Sequence, residues 1–453
     1  MHADQRQQRN NAIVIGGSMA GLLVTRVLAD HYREVTLIER DVFPAAGQQR
    51  RGVPQGRHTH GLLASGRQVL DRLFPDISEA LVEAGAVTGD IVRDSRWFSE
   101  GACLSRFESG LDGLLLSRPF LEGMVRARVL SLPNVRVRED CEVQGLATAQ
   151  GRVTGVQTGK EILSGDLIVD ATGRGSHSPR WLEAIGYKRA PEVRVEVALG
   201  YTTRWFRRRP DDLDGDLAVI IPPTPEGKRG GVMLAQEGDR WTVTLIGHFG
   251  NYAPEELDGF IEFARNLPAP YIYQVVRDAE PLGEAASARF PASIRRRYEH
   301  LDRFPEGFLV FGDAICSFNP IYGQGMSAAA LQAVELAKVL AEGGGCLAPR
   351  FFQRAAKVTD IPWSIAVGND LRMPEAVGPR NAAIRLINWY MSKLHKAAHR
   401  DTVPALAFHR VANLLAPPPS VFHPRVALRV LWRNLFSDRK APNPHETGAF
   451  QQA

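Results

Sequence analysis

Cysteine is scarce in this chain: Cys103, Cys141, Cys316 and Cys346 are the only four in 453 residues, and no Cys-x-x-Cys pair occurs. That scarcity argues against a disulfide framework or a structural zinc centre, and a reducing cytoplasm is the expected compartment. Long apolar runs are missing too. No window approaches the roughly eighteen apolar residues of a spanning helix. The polar stretch Met1–Asn11 is unlike a secretory signal. Repeats and low-complexity tracts are absent. With 44% hydrophobic and 23% charged residues, the composition is that of a globular chain long enough for two domains. It excludes a fibre, a disordered chain and a multi-span membrane protein. Acidic residues are what the C-terminal part lacks. Residues 341–453 hold 15 Lys/Arg against 7 Asp/Glu, in a chain whose net charge is +5. Solvated helical faces are the expectation for this excess, with peripheral contact to an anionic membrane the lesser reading and no nucleic acid expected.

What is present begins with a strand, a glycine turn, a helix and a second strand. Ala12–Ile15 is apolar, Leu22–Ala29 has helical spacing, and Val35–Ile38 is a buried strand. That is a βαβ unit opening a parallel sheet. Pro119–Leu130 reads as a helix, Asn134–Glu142 as a strand, Val153–Gln157 with Glu161–Leu163 as a hairpin, and Leu167–Val169 as another buried strand. From about residue 190 the texture changes. Val193–Trp205, Leu217–Ile221, Gly231–Leu234 and Arg240–Gly247 read as strands of a largely antiparallel sheet, with Glu255–Leu267 a helix across it. Nucleotide-type texture returns at Gly307–Gly312 and in the helix Met326–Ala341. Arg380–Ala398 and Val403–Phe436, the latter broken at Pro417-Pro418-Pro419, read as helices that pack over the substrate side.

Three glycine turns carry the chemistry. In Gly16-Gly17-Ser18-Met19-Ala20-Gly21, Gly16 permits the turn and Ser18 is small enough for a phosphate to approach. Gly21 lets helix and strand pack closely, and the helix N-terminus offers free N–H groups to a pyrophosphate. Glu39 closes the next strand, where its carboxylate suits the two hydroxyls of an adenosine ribose. Asp170-Ala171-Thr172-Gly173 ends a second strand. Gly312-Asp313 ends a third, followed by Pro320, Gly323, Gly325, Met326 and a helix. Asp313 is placed for a polyol such as a ribityl chain, and the helix beyond aims its positive end at whatever lies past the glycines. His58 and His60 form an His-x-His pair, but no carboxylate or thiol follows at ligand spacing, so no metal is expected.

Taken along the chain, these segments resemble the flavoprotein monooxygenases of the p-hydroxybenzoate hydroxylase fold. Arg50-Arg51-Gly52-Val53-Pro54-Gln55-Gly56-Arg57-His58-Thr59-His60, Ser117-Arg118-Pro119 and Phe318-Asn319-Pro320-Ile321-Tyr322-Gly323-Gln324-Gly325-Met326 resemble the bacterial polyether-epoxidase and squalene-epoxidase-like branch. The likeness covers about residues 10–340. The resemblance implies an α/β fold in three parts. A Rossmann-like FAD-binding domain (10–75, 105–189 and 286–375) is interrupted by a β-rich substrate domain (76–104 and 190–285), and a C-terminal helical segment (376–453) follows. It implies one non-covalent FAD. Glu39 and Arg40 would face its adenosine ribose, Cys141, Glu142 and Val143 its adenine, and Arg118 its phosphate–ribityl region. Asp313 would hold the ribityl chain, Gly323, Gly325 and Met326 would lie beside the isoalloxazine, and Arg50, Gln55 and His58 would line the flavin.

The same resemblance implies that reduced FAD and O2 form a C4a-hydroperoxide, which delivers one oxygen to an electron-rich carbon. Electrons would come from NAD(P)H, directly or through a partner flavin reductase, since no second glycine fingerprint is present. Alkene epoxidation needs no protein base, whereas phenol hydroxylation normally profits from one. The β-rich part has aromatics (Tyr201, Trp205, Trp241, Phe249, Phe260, Phe263) and a single histidine, His248, with no His–Tyr relay. The expected substrate is therefore an alkene of a lipophilic polyketide or terpenoid. An aromatic hydroxylase and a reductase of the geranylgeranyl-reductase type are the alternatives. A halogenase is disfavoured because Trp-x-Trp-x-Ile-Pro is missing.

Overall fold

The computed structural model describes residues 9–436 apart from Ala46 and Arg51. Arg51 of the 50–60 motif, the first eight residues of the polar start and residues 437–453 of the helical segment lie outside the described residues.

A five-stranded parallel sheet is built from β1 (Arg9–Ile15), β2 (Tyr32–Ile38), β3 (Val135–Arg138), β4 (Leu167–Asp170) and β5 (Phe308–Val310), in the order β5-β4-β1-β2-β3. Ile15 pairs with Ile38 on one side and Asp170 on the other, and Asp170 with Val310, so the strands end level. Level ends put Gly16, Glu39, Ala171 and Phe311 on one edge, the carboxyl edge at which open α/β sheets bind ligands. Helices α1 (Met19–Ala29) and α2 (Arg118–Leu130) cover the sheet, and their inward residues, Leu22, Leu23, Leu121 and Val125, are fully buried. Gly21 is required here: a Cβ on it would stand 1.7 Å from the Gly16 carbonyl oxygen. The strand expected over Asn134–Glu142 stops at Arg138, because the chain turns through Asp140 with φ at 48°.

The second sheet has eight strands and carries Glu192–Arg207 paired antiparallel with Ala286–Arg296 and with Arg240–His248. Ser95–Ser99 joins it parallel to Ala218–Ile221. Strand alternation gives the sheet two different faces. Trp241, Val243 and Leu245 point one way, into a core with Phe206, Phe260 and Phe263, backed by helices Leu257–Arg265 and Tyr271–Val276. Thr244, Ile246 and His248 point the other way and line a cavity. Three of the six aromatics noted in the sequence, Trp241, Phe260 and Phe263, thus belong to the packed face; Tyr201 is on the cavity side.

Helix α3 (Gly325–Glu342) returns to the parallel sheet, α4 (Leu347–Asp370) packs along it, and three more helices follow: α5 (Ala382–Ala398), α6 (Thr402–Ala412) and α7 (Pro424–Phe436). This group packs against the segment that follows the Ser95–Ser99 strand of the second sheet. Ala398 and Ala405 pack with Leu104, Trp97 and Phe107, and His399 Nε2 donates 2.8 Å to the Ser99 carbonyl. No helix among the described residues is long and apolar enough to cross a membrane.

Candidate functional site

The loops leaving β1, β2, β4 and β5 surround a cavity of about 1520 Å³ that continues onto the free face of the second sheet. Its wall takes in Gly16, Ser18, Met19, Ala20, Glu39, Arg40, Arg50, Gln55, His58, Arg118, Val143, Ala171, Thr172, Gly173, Asp313, Pro320, Gly323, Gly325 and Met326. Residues from seven separate stretches of sequence (16–20, 39–40, 50–58, 118, 143, 171–173 and 313–326) therefore meet in one place. Gly21 and Gly312 lie behind the wall. Gly312, at φ 68°, sits so close to α1 that a Cβ there would be 2.8 Å from that of Ala20.

At the α1 end, charge is locked into a ring. Glu39 Oε2 accepts from the Gly17 amide at 2.8 Å and from Arg50 Nη2 at 2.6 Å. Arg50 Nη1 donates to Glu122 Oε1 at 2.8 Å, and Arg118 Nη2 donates to Glu122 Oε2 and to Ser18 Oγ. All four charged side chains are less than a tenth exposed. Burial alone would raise the Glu122 carboxyl, but Arg118 and Arg50 hold it below the usual carboxylate range. Ser18 bonds to Glu122 and does not cap α1, whose first residues, Met19 and Ala20, line the cavity. Glu122 has no place in the glycine motifs, though its position four residues after Arg118 on a helix is a readable pairing signal.

The loop carrying His58 is fastened to the second sheet. His58 Nδ1 lies 2.9 Å from Thr203 Oγ1, which lies 2.6 Å from Thr244 Oγ1, and Thr59 joins the same chain. Burial and Arg57 push His58 down to about 4, so its ring is neutral at pH 7. His58 and His60 lie in a loop after a short 3₁₀ turn, not on a strand, and His60 Nδ1 donates to the His58 carbonyl. No cluster of metal-ligating side chains occurs among the described residues. Arg40 is largely exposed and Gln55 exposed, each reaching the cavity from its rim. Asp170 points inward: Thr172, Ser176 and Ser178 all donate to it, so it shapes the loop and leaves the backbone of 171–173 facing the cavity.

Asp313 faces the same space. Burial pushes its carboxyl up to about 6, against the pull of Arg118 and Arg174. Beyond it, the glycines form a cradle: a Cβ on Gly323 or Gly325 would meet nothing closer than 3.9 and 3.8 Å and would project into the cavity. At the far side stands a group the sequence does not announce. Asp370, 2% exposed at the end of α4, accepts on Oδ1 from Tyr322 Oη at 2.9 Å and from Asn319 Nδ2 at 2.8 Å. Its Oδ2 is buried without a protein partner, as are Gln324 Oε1 and His395 Nε2 on the same wall. Burial raises the Asp370 carboxyl to about 7, and the two neutral donors only partly offset that.

The observations fit a flavin dinucleotide. An uncapped helix end faces a wall bearing arginines, a carboxylate closes β2, and a glycine cradle lies beside a carboxyl with free hydrogen-bonding capacity. The fold agrees. The flavin-dependent brominase Bmp2 superimposes with a TM-score of 0.64 over 93% of this chain and 99% of its own, at 15% identity. PqsL of Pseudomonas aeruginosa, a probable FAD-dependent monooxygenase, does so with a TM-score of 0.60 over 80% and 97%, also at 15% identity. The architecture, a mixed α/β body with C-terminal helices, is similar to the fold of these flavin-dependent proteins. In sequence the chain is 35% identical over 427 residues to protein Rv3254 of Mycobacterium tuberculosis, 90% of each chain, and it belongs to the family of that protein. No family model matches it.

Proposed function

We propose that this chain is an FAD-dependent monooxygenase that adds one oxygen atom from O2 to a lipophilic small molecule. The observation that carries the reading is the single cavity with two kinds of wall. One wall is four carboxyl-edge loops with an uncapped helix end, arginines and Asp313; the other is the apolar face of the second sheet, with Ile220, Val232, Leu234 and Ile246. Ser18, the α1 N-terminus and Arg118 would take the diphosphate, Glu39 the ribose, Asp313 the ribityl chain, and Gly323 and Gly325 the ring system. Bound there, the flavin supplies the two-electron activation of oxygen. The chain supplies orientation and dryness: His58, locked between Thr203 and Tyr201, closes the loop over the sheet, and the helical group covers the distal end. NAD(P)H is the proposed electron source, directly or through a reductase.

Epoxidation of an alkene in a polyketide or terpenoid is the first reading of the reaction, supported by the apolar sheet face and by the neutral state of His58 and His248. Aromatic hydroxylation is the second, and one observation favours it: Asp370, whose Oδ1 accepts from Tyr322 and whose Oδ2 has no protein partner, is a proton acceptor near neutrality on the cavity wall. Incubation with FAD, NADPH, a reductase and a panel of alkenes and phenols under labelled oxygen separates them by product mass. One labelled oxygen on an alkene supports the first reading, and label confined to phenols the second. A gain of two hydrogens without label would mean a reductase. A purified protein that is colourless and takes up no FAD would end the proposal.

A further inference from the structure

We propose that the outer face of the C-terminal helices docks on an anionic phospholipid surface. The reading does not depend on the flavin or on the reaction.

Helix α7 is apolar on two sides. Val426 and Val430, 7% and 1% exposed, pack inward with Leu394, Ala397 and Val411 of the neighbouring helices. Leu428, Leu431, Trp432 and Leu435 follow the i, i+3, i+4, i+7 spacing on the other side, and they are 66%, 51%, 62% and 72% exposed. Phe436, 68% exposed, packs on Trp432. Helix α5 adds Leu386, Ile387 and Trp389, all about half exposed or more. Scattered apolar residues on a surface need no explanation, but a full helical stripe of them marks a docking face.

Residues 437–453 offer little to cover this stripe. Beyond Phe436 the sequence holds one large apolar residue, Phe450, among seventeen. Charge then selects the occupant. Residues 376–436 carry nine Lys/Arg and one acid, Asp401, and both carboxylate oxygens of Asp401 accept from Arg429 or Arg433. A second copy is disfavoured on the same ground. A two-fold contact sets a patch against itself, and this would bring two strongly cationic groups together. An apolar stripe on a short helix that also carries Arg425, Arg429 and Arg433, beside a helix with Lys393 and Lys396, is instead the pattern of an interfacial helix. Helices α5 and α6 meet the cavity through His395, Phe408 and Ala412, and α7 packs against them, so one layer of helices separates the proposed bilayer from the chamber.

The test is flotation of the full-length, flavin-loaded protein with phosphatidylcholine vesicles, with and without a large share of phosphatidylglycerol. Binding is expected only with the anionic lipid, falling about tenfold in Leu431→Glu/Trp432→Glu. The double variant should keep its flavin content and circular dichroism. Should it fail to fold, Leu428→Ser/Leu435→Ser reads the same face. Absence of flotation at low salt, or equal flotation of the variants, would overturn the proposal. So would complete release at about 1 M salt, where screening leaves only the apolar contact. A dimer dissolved by the variants, in protein that does not float, would assign the face to a second copy and equally overturn it.

Discussion

Glu122 and Asp370 are both carboxyl groups almost fully removed from water, 3% and 2% exposed, yet the structure shifts their titration in opposite directions. Glu122 lies between two guanidiniums, so the ionised form wins even though burial opposes it. Asp370 meets only a phenol and an amide, neutral donors that stabilise its charge too weakly to offset desolvation, and its carboxyl titrates near 7. The difference teaches what each region is for. Around α1, fixed charges are matched and geometry is rigid, as a site for a permanent anionic cofactor requires. Around Asp370, one oxygen is left without a partner beside an apolar wall, where a proton has somewhere to go.

The largest expected effect breaks the matched region. Glu122→Ala removes the carboxylate partner of Arg118 and leaves Arg50 with Glu39 alone, and should cost about 3–5 kcal/mol of stability, read as a lower midpoint in urea. An unchanged midpoint would mean that the ring of ion pairs is not formed in solution.

Next comes the unmatched carboxyl. The folded-state value of Asp370, about 7, lies above the unfolded value near 3.9. Its contribution to stability is therefore intact below about pH 4 and is lost as pH rises through 7. Asp370→Asn keeps the acceptor for Tyr322 and removes the charge. The variant should match the parent near pH 4 and exceed it at pH 8.5 by about 3 kcal/mol, measured by thermal unfolding at both pH values. The same variant sharpens the choice of reaction. With an alkene substrate, kcat should stay within about threefold, whereas with a phenol the loss of a general base should lower it by about 10²–10⁴.

Asp313→Ala should weaken FAD binding by about 1.5–3 kcal/mol while keeping the circular dichroism of the folded, flavin-free protein; flavin fluorescence on titration reads it. Gly325→Val should do the same by filling the cradle, since the Cβ meets no protein atom closer than 3.8 Å. Wild-type affinity in both would remove these residues from the site. The smallest effect belongs to the surface pair Arg138–Glu161, both about half exposed. Glu161→Ala should shift stability by less than about 0.5 kcal/mol, the contrast against which the cost at Glu122 is judged.

Much of the nucleotide side was legible because its signals are local. A glycine turn needs particular residues at fixed offsets, and β1, α1 and β2 follow each other within thirty residues, so Gly16, Gly21 and Glu39 could be read directly. Arg118 was readable through a motif, and Glu122 through helical spacing that was there to be used. Asp370 was not readable, since its partners Tyr322 and Asn319 come from a loop some fifty residues earlier and meet it only when α4 packs. The aromatics of the second sheet were visible, but which face each took depended on register. The helical spacing of Leu428, Leu431, Trp432 and Leu435 was visible as well, and it suggested burial against the protein; the structure turns that stripe outward.

By itself, then, the sequence determined the order of the elements, the glycine turns at strand ends and the basic excess of the last helices. These depend on backbone sterics, on alternation and on counting charges. The tertiary structure alone decided the electrostatic state of the buried groups and which apolar faces met protein. A carboxyl takes its charge from whichever donors packing brings within about 3 Å, and no spacing along the chain records that.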